Sequence, residues 1–223
     1  MPGKKLFFLA VLLLALTACA GLRGVASGDI TAQAEETQSV IVPGVPVLTV
    51  NHFAGDLTIR DGAADKITAH VTKQSTLSDA AAAEASLADI TVAFSQRGSD
   101  VTLDVEVPET VMNEMNDLLA IVELEVPPGT TLFLNQGGGN IVVERPSGDV
   151  TIDAGAGDFT VTLPADAAFH LIVAGGVAKV ASDFEGVPGG GLAADIDTTI
   201  GSNPTQTLTF NVGAGQVNLR HAD

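Results

Sequence analysis

The side chains best suited to chemistry are one cysteine and four histidines, and their spacing limits what they can do. Cys19 is the only cysteine of the 223-residue chain, so its thiol cannot form a disulfide within the chain. His52, His70, His170 and His221 are scattered, and none has a second ligand at metal spacing on a shared helix. We therefore predict no catalytic residue, no bound metal and no cofactor, which leaves Cys19 as a site of modification.

The segment before Cys19 indicates what that modification is. Lys4 and Lys5 precede an uninterrupted apolar run from Leu6 to Leu16. A membrane-spanning helix needs about 20 residues, whereas a positive start followed by a shorter apolar run is typical of a secretory signal. The alternative to a modified cysteine is an ordinary signal peptide with a cysteine at its end by accident.

Leu16, Thr17, Ala18 and Cys19 resemble the lipobox of bacterial lipoproteins, in which two small residues separate a leucine from the modified cysteine. The resemblance implies that signal peptidase recognises Leu16, Thr17 and Ala18 and cleaves before Cys19. It also implies that the thiol receives a diacylglyceryl group and that the new amino group receives a fatty acid such as palmitate. Several buried acyl chains make a stable membrane anchor.

These features divide the chain into three parts. We expect residues 1–18 to be a lipoprotein signal peptide, residues 19–38 to be the lipidated cysteine and a flexible tether, and residues 39–223 to be the folded domain. The N-terminal lipid would hold that domain on the extracytoplasmic side of a membrane in the bacterial cell envelope.

The composition excludes several classes of protein. The formal net charge of −17 argues against nucleic acid as a partner, because such binding relies on Lys and Arg. Trp and Tyr are absent, which argues against a lectin or a polysaccharide enzyme with aromatic binding faces. A hydrophobic content of 46% together with 24 glycines favours β-strands that are joined by tight turns.

A nine-residue phrase, in which Gly and a polar residue precede alternating apolar residues, recurs along the chain. Gly139-Asn140, Gly148-Asp149 and Gly157-Asp158 begin three successive copies. Gly tolerates positive φ, and Asn or Asp can bond its own following backbone, so we expect each pair to form a turn. With a strand period of two, the predicted inward residues are Ile141, Val143, Val150, Ile152, Phe159, Val161, Leu163, Leu208, Phe210, Val212, Val217 and Leu219.

The phrase predicts a mainly β fold and allows two topologies. An antiparallel arrangement needs tight turns between strands, whereas a flattened solenoid stacks the strands in parallel, and we favour the solenoid. One short helix is expected at Asp79–Asp89, with Ser78 as its cap and with Leu87 and Ile90 on its buried side. The segment Glu109–Leu119 is expected to be an insertion that covers a sheet edge.

The phrase also raises the question of calcium. In the calcium-binding nonapeptide an Asp stands two places after a Gly, whereas Asp149 and Asp158 follow Gly directly and Asn140 takes that place in another copy. A calcium-loaded β-roll is therefore the weaker alternative. Nucleophile-elbow, P-loop and dinucleotide motifs are missing from the sequence. Arg145, Lys179 and Arg220 stand isolated among acids, which disfavours a β-helix hydrolase or lyase, so we predict a protein that is not an enzyme.

Several phrases together resemble the bacterial putative adhesin families, which are domains of unknown function related to the auto-transporter adhesin head (GIN) domain. The matching stretches are GDLTI at 55–59, SGDVTI at 147–152, AGDFTV at 156–161 and LTFNVGAGQVNL at 208–219. The resemblance spans about Ser39 to Arg220. It implies a right-handed β-helix-like or antiparallel β-sandwich-like body at the cell envelope and offers no catalytic residue.

The function expected from the sequence is adhesion or envelope-associated binding through a repetitive β-surface, with an envelope or surface protein as the partner. The alternative is a structural envelope spacer or assembly partner without a discrete ligand.

Overall fold

The computed structural model describes residues 29–108, 117–189 and 195–222. These residues form one mixed β-sheet with a short helix, α1, and a 3-10 turn at Leu87–Asp89. The elements are β1 Ala32–Ile41, β2 Val47–His52, β3 Leu57–Asp61, β4 Lys66–Ser75, α1 Ala80–Ser86, β5 Thr91–Arg97, β6 Asp100–Glu106, β7 Leu118–Val126, β8 Thr131–Gly138, β9 Ile141–Glu144, β10 Val150–Leu163, β11 Phe169–Ser182, β12 Asp195–Ile200 and β13 Gln206–His221.

The repeated phrase builds parallel layers. We define a layer as two stretches of strand that follow each other along the chain. Val150 lies opposite Leu132 in the layer on one side and opposite Leu208 in the layer on the other, so equivalent positions align. In spatial order the layers are β6 with β7, β2 with β3, β8 with β9, then β10, β13 and β11. One nine-residue phrase is therefore half of a layer, and strand β13 lies between β10 and β11, out of chain order.

Antiparallel strands complete the sheet at both ends of the stack. Strand β5 pairs with β6, β4 pairs with β7 and with β1, and β12 pairs with β11. The outer strands β1 and β5 are linked by side chains: Gln38 Nε2 donates to the Val92 carbonyl at 2.8 Å, and Gln96 Nε2 donates to the Ile41 carbonyl at 3.0 Å. The fold is therefore mainly β, with a nearly closed mixed sheet.

The inward residues predicted from the period of two are confirmed. Val150, Ile152, Phe159, Val161 and Leu163 are all 0% exposed, and every other predicted inward residue is also buried. Burying a side chain of this size contributes about 1.5–3 kcal/mol. These residues belong to one continuous cluster of buried apolar side chains that spans all the layers, so the layers share a single core.

The glycines of the repeated phrase do not all lie between strands, as the prediction required. Gly139-Asn140 lies between β8 and β9 and Gly148-Asp149 lies between β9 and β10, whereas β10 and β13 run through Gly157 and Gly215 without interruption and only bend there. A Cβ on Gly155 would overlap the carbonyl oxygen of Gly137, and one on Gly213 would overlap that of Gly155. A second column (Gly55, Gly139, Gly157 and Gly215) has positive φ and the same close approach. The bend therefore needs glycine chiefly because adjacent layers touch backbone to backbone.

The predicted tether is too long at its C-terminal end. Strand β1 begins at Ala32, within the expected tether, and Gln38 pairs with Ala69 of β4. The apolar pattern of the sequence did not predict the start of this strand, because β1 lies at the edge of the sheet and most of its side chains face solvent. Residues 1–28, which include Leu16, Thr17, Ala18 and Cys19, lie outside the described residues, so the signal peptide and the lipid remain predictions.

The predicted helix exists, but its cap is one residue later than expected. Asp79 and not Ser78 is the N-cap, and its carboxylate accepts a hydrogen bond from the backbone N–H of Ala82 at 2.8 Å. Leu87 and Ile90 are buried as predicted. Of the expected insertion, residues 109–116 lie outside the described residues, and its last residues open strand β7.

Replacing Gly155 by Ala tests the contact between layers. Gly155 has no positive φ, so the change adds only a Cβ that overlaps the Gly137 carbonyl. We expect the free energy of unfolding to fall by about 1–3 kcal/mol, as in overpacked cores, measured by urea denaturation. Gly189 is the matched control, because a Cβ there meets nothing within 4 Å; Gly189→Ala should leave stability equal or slightly raised. Equal stability of the two variants would contradict the close contact.

Candidate functional site: a polar sheet face and two clefts

The outward face of the first half of the layers carries a row of amide and carboxylate side chains. The row is Asp104, Asn51, Asn135, Asp153 and Asn211, one from each of five adjacent strands. Asn51 Nδ2 donates to Asp104 Oδ1 at 2.6 Å, and Asn135 Nδ2 donates to Asn51 Oδ1 at 2.9 Å. Asn211 Nδ2 donates to Asp153 Oδ1. Neighbouring strands lie about 4.8 Å apart, which suits one side-chain hydrogen bond per step.

A second row runs beside the first on the same face. It consists of Thr102, Thr49, Phe133, Thr151 and Thr209 at equivalent register positions. The threonines are half-buried, whereas Phe133 is 41% exposed in the middle of the row. We call these two rows together the ladder face. It offers hydroxyl and amide groups at a constant spacing around one exposed aromatic ring.

The polar residue of the repeated phrase forms hydrogen bonds to the adjacent layers. Asn140 donates from its backbone N–H and from Nδ2 to Asp56 Oδ1, at 3.2 and 3.1 Å. The backbone N–H of Asp158 in turn donates to Asn140 Oδ1 at 3.2 Å. The bond to the residue's own following backbone that we predicted is thus replaced by a bond to the adjacent layer. No group of three or more His, Cys, Asp or Glu side chains suited to a metal ion occurs among the described residues.

The second half of the layers carries paired charges on its outward face. Arg60 Nη2 lies 3.1 Å from Glu125 Oε1 and 3.9 Å from Glu123 Oε2. Arg220 Nη1 lies 2.8 Å from Asp183 Oδ1, and this hydrogen bond, together with the His221 N–H, lowers the pKa of Asp183. These pairs are exposed to solvent, so they orient side chains and add little stability.

A polar cleft of about 510 Å³ opens where β3, β9, β10 and β13 end. These strands are parallel, so their carboxyl ends meet at one edge of the sheet. Arg60, Asp61, Glu144, Arg145, Thr162 and His221 line the cleft. The prediction that Arg145 stands alone was therefore wrong, because it shares this cleft with a second arginine and a histidine. Arg220 pairs with Asp183, and Lys179 does not line the cleft.

A second cleft of about 310 Å³ lies at the amino ends of β13 and β10. His170 lines it, and its Nε2 lies 2.7 Å from Asp197 Oδ1 on β12. Asp149 also lines it and accepts a hydrogen bond from the Thr207 backbone N–H at 2.7 Å. The His–Asp pair orients the imidazole ring towards a surface that is otherwise formed mainly by threonines.

His52 has a structural position beneath the glycine bend. It is 3% exposed, with Nε2 3.0 Å from the Ala120 carbonyl and Nδ1 3.3 Å from Gln136 Oε1. Gln136 Nε2 donates to the Gly55 carbonyl at 2.9 Å. Burial lowers the pKa of His52 from its ordinary value of 6.5, against the opposing effect of its hydrogen bonds. The ring is therefore neutral in the folded protein at neutral pH.

This lowered pKa makes folding stability depend on pH. As the pH falls below about 6.5, the unfolded chain protonates His52 while the folded chain does not, until the lowered folded pKa is reached. Stability should fall through this window with a slope of up to about 1.4 kcal/mol per pH unit. In His52→Gln that part of the slope should vanish, whereas His70→Gln, at an exposed histidine, should keep it. Urea denaturation at several pH values measures the slope, and an unchanged slope in His52→Gln would contradict the prediction.

Comparisons with known proteins bear on the fold. Among the described residues, no helix has the length and apolar character that crossing a membrane requires. No protein-family model matches the chain, and no curated protein matches it.

Among solved structures, the chain is similar to a putative cell adhesion protein from Clostridium sporogenes, with a TM-score of 0.52 and 14% identity over 86% of this chain and 100% of that one. A putative adhesin from Bacteroides fragilis gives a TM-score of 0.26 and 10% identity over 85% of this chain and 98% of that one, which is too distant to carry an argument. The first similarity shows that this chain shares its fold with the Clostridium sporogenes protein.

Proposed function

We propose that this protein is a non-enzymatic, lipid-anchored protein of the bacterial cell envelope that uses its ladder face for adhesion or envelope-associated binding. The observation that carries the proposal is the pair of polar rows, which repeat the same side-chain types over five strands. A surface with donors and acceptors at about 4.8 Å intervals fits a partner that is itself repetitive and rich in hydrogen-bonding groups.

Phe133 gives the ladder face a point of stronger contact. Aromatic residues are enriched in protein interfaces, and truncating a central one commonly costs more than 1 kcal/mol of binding free energy. Phe133 lies in the third of the five positions of its row, with Thr49 on one side and Thr151 on the other. The hydroxyl and amide groups around Phe133 would then fix the orientation of the bound partner.

The body that presents this face is proposed to be a right-handed β-helix-like solenoid. The parallel register between layers and the aligned glycine bends support this architecture. The antiparallel strands β1, β4, β5 and β12 would act as end caps, which stacked repeats require. The alternative is a sandwich-like body, with the same two outward faces.

Membrane attachment through Cys19 is the second part of the proposal. It rests on the lipobox-like residues Leu16, Thr17 and Ala18 and on the apolar segment before them. The chain has 10 Lys and Arg residues against 27 Asp and Glu residues, and Lys4 and Lys5 lie in the segment that cleavage would remove. An anionic membrane would therefore repel the acidic body. The lipid would therefore supply the attachment while the body extends away from the surface. The name of the similar Clostridium sporogenes protein, a putative cell adhesion protein, agrees with such a role.

Replacing Cys19 by Ala tests the lipid anchor. The variant should move from the membrane fraction to the soluble fraction or stay unprocessed, and it should lose labelling by radioactive palmitate. Its folded domain should keep the wild-type circular dichroism spectrum. Ser27→Ala is the control within the same segment and should stay labelled and membrane-bound. Palmitate labelling of Cys19→Ala would contradict the anchor.

Replacing Phe133 by Ser tests the ladder face. Lipid vesicles that carry the anchored protein should bind to intact bacterial cells, and Phe133→Ser should lower that binding by about fivefold. Ile41→Ser is the matched control, because Ile41 is 72% exposed at the end of β1. Equal binding by both variants would contradict the assignment. Wild-type vesicles that bind no better than empty ones would favour the structural spacer instead.

A further inference from the structure

The polar cleft at the carboxyl ends of β3, β9, β10 and β13 brings basic side chains together beside two carboxylates in an acidic protein. Two arginines and one histidine line it, although the chain has only 10 Lys and Arg residues against 27 Asp and Glu residues. Arg60 is the last but one residue of β3, Arg145 follows β9 and His221 ends β13. The layer register therefore brings together residues that are far apart in the chain.

Arg145 has an unusual backbone for its residue type. Its φ is +49°, and Asn203 is the only other non-glycine residue with positive φ in the described part of the chain. Such a conformation costs free energy that glycine would avoid, and it is often found at functional sites. The Arg145 N–H donates to the Thr162 carbonyl at 2.9 Å, which fixes the residue at the rim of the cleft. An arginine kept at a position suited to glycine points to a role for its guanidinium group.

The other two basic side chains are held in place by neighbours outside the cleft. Arg60 is oriented by Glu125 and Glu123, yet 46% of its side chain stays exposed. The His221 ring packs edge-on against Phe184, with ring centroids 4.6 Å apart, and its backbone N–H donates to Asp183 Oδ2 at 3.2 Å. Side chains that are oriented before binding lose less entropy when a ligand arrives.

The remaining polar side chains of the lining can accept hydrogen bonds. Asp61 and Glu144 present carboxylates, and Thr162 presents a hydroxyl. Arginine recognises an acid group with two parallel hydrogen bonds, whereas carboxylates accept hydrogen bonds from hydroxyl groups. A matching ligand therefore carries one acid group with several hydroxyl groups close to it. A continuous polyanion does not match, because Asp61 and Glu144 would repel it.

We propose that this cleft binds a sugar acid, that is, a monosaccharide unit with a carboxylate, through Arg145, Arg60 and His221. Asp61, Glu144 and Thr162 bind the hydroxyl groups of the same unit. The volume of about 510 Å³ lies within the range of small-molecule sites. Recognition here is polar and charge-assisted, unlike the aromatic stacking that the composition argues against. The assignment is independent of membrane attachment and of the ladder face.

Ligand titration by saturation-transfer NMR tests the proposal on the full-length protein in detergent. The probes are D-glucuronate, D-glucose, glucose 6-phosphate and inorganic phosphate. D-glucuronate should saturate its site with an affinity at least about tenfold higher than that of D-glucose, because only the acid offers a carboxylate that can pair with the arginine side chains. Equal affinity for D-glucose and D-glucuronate would overturn the proposal. If inorganic phosphate or glucose 6-phosphate bound more tightly than D-glucuronate, the cleft would be a phosphate site and the sugar-acid assignment would be wrong.

Variants then locate the site. Arg145→Asn removes the guanidinium group while keeping a residue that tolerates positive φ, and it should weaken D-glucuronate binding at least about tenfold. Arg60→Gln is a second, independent test with the same expectation. Arg97→Gln is the matched control, because Arg97 is an exposed arginine at the end of β5, and it should bind like the wild type. Wild-type affinity in both Arg145→Asn and Arg60→Gln would overturn the proposal.

Phe133→Ser should also bind D-glucuronate like the wild type. The two proposals can therefore fail separately: vesicle binding to cells tests the ladder face, and D-glucuronate titration tests this cleft.

Discussion

The contact between backbones at the glycine bend is the constraint on which the rest of the structure depends. At Gly137, Gly155 and Gly213 the carbonyl oxygen of one layer occupies the space where a side chain of the next layer would begin. This approach leaves no freedom to shift one layer against another. Because the side chains of a strand alternate between faces, a shift of one residue would turn the whole apolar set outward. The bend therefore fixes the register that keeps Val150, Ile152 and their equivalents in one core.

The same register also arranges the surface. Once equivalent positions align, any side-chain type that the repeat favours becomes a row: amides and carboxylates in one, hydroxyls in the next, paired charges on the opposite face. Buried His52 and Gln136 belong to this arrangement, since they satisfy backbone carbonyls just inside the bend. The stacking of equivalent positions thus arranges both the polar rows on the surface and the few polar side chains that are buried beside the apolar core.

Alternation of apolar residues was enough to predict the core positions, because burial on one face of a strand leaves a period of two in the sequence. It was not enough for β1, whose polar edge residues carry no such period, or for the cap at Asp79, where Ser78 has the same local chemistry. The polar cleft could not be predicted, because Arg60 and Arg145 meet only through the layer register. The repeated Gly-Asp and Gly-Asn pairs at 55 and 139 did contain that register, but no local rule says which copies become neighbours.

The position of β13 has a consequence for how the protein is made. This strand lies between β10 and β11, although it follows both of them in the chain. When the polypeptide emerges with its N-terminus first, β10 and β11 are therefore present before the strand that separates them. The core between these two strands cannot close until β13 has been made. Folding of this part of the protein therefore cannot proceed strictly layer by layer during synthesis.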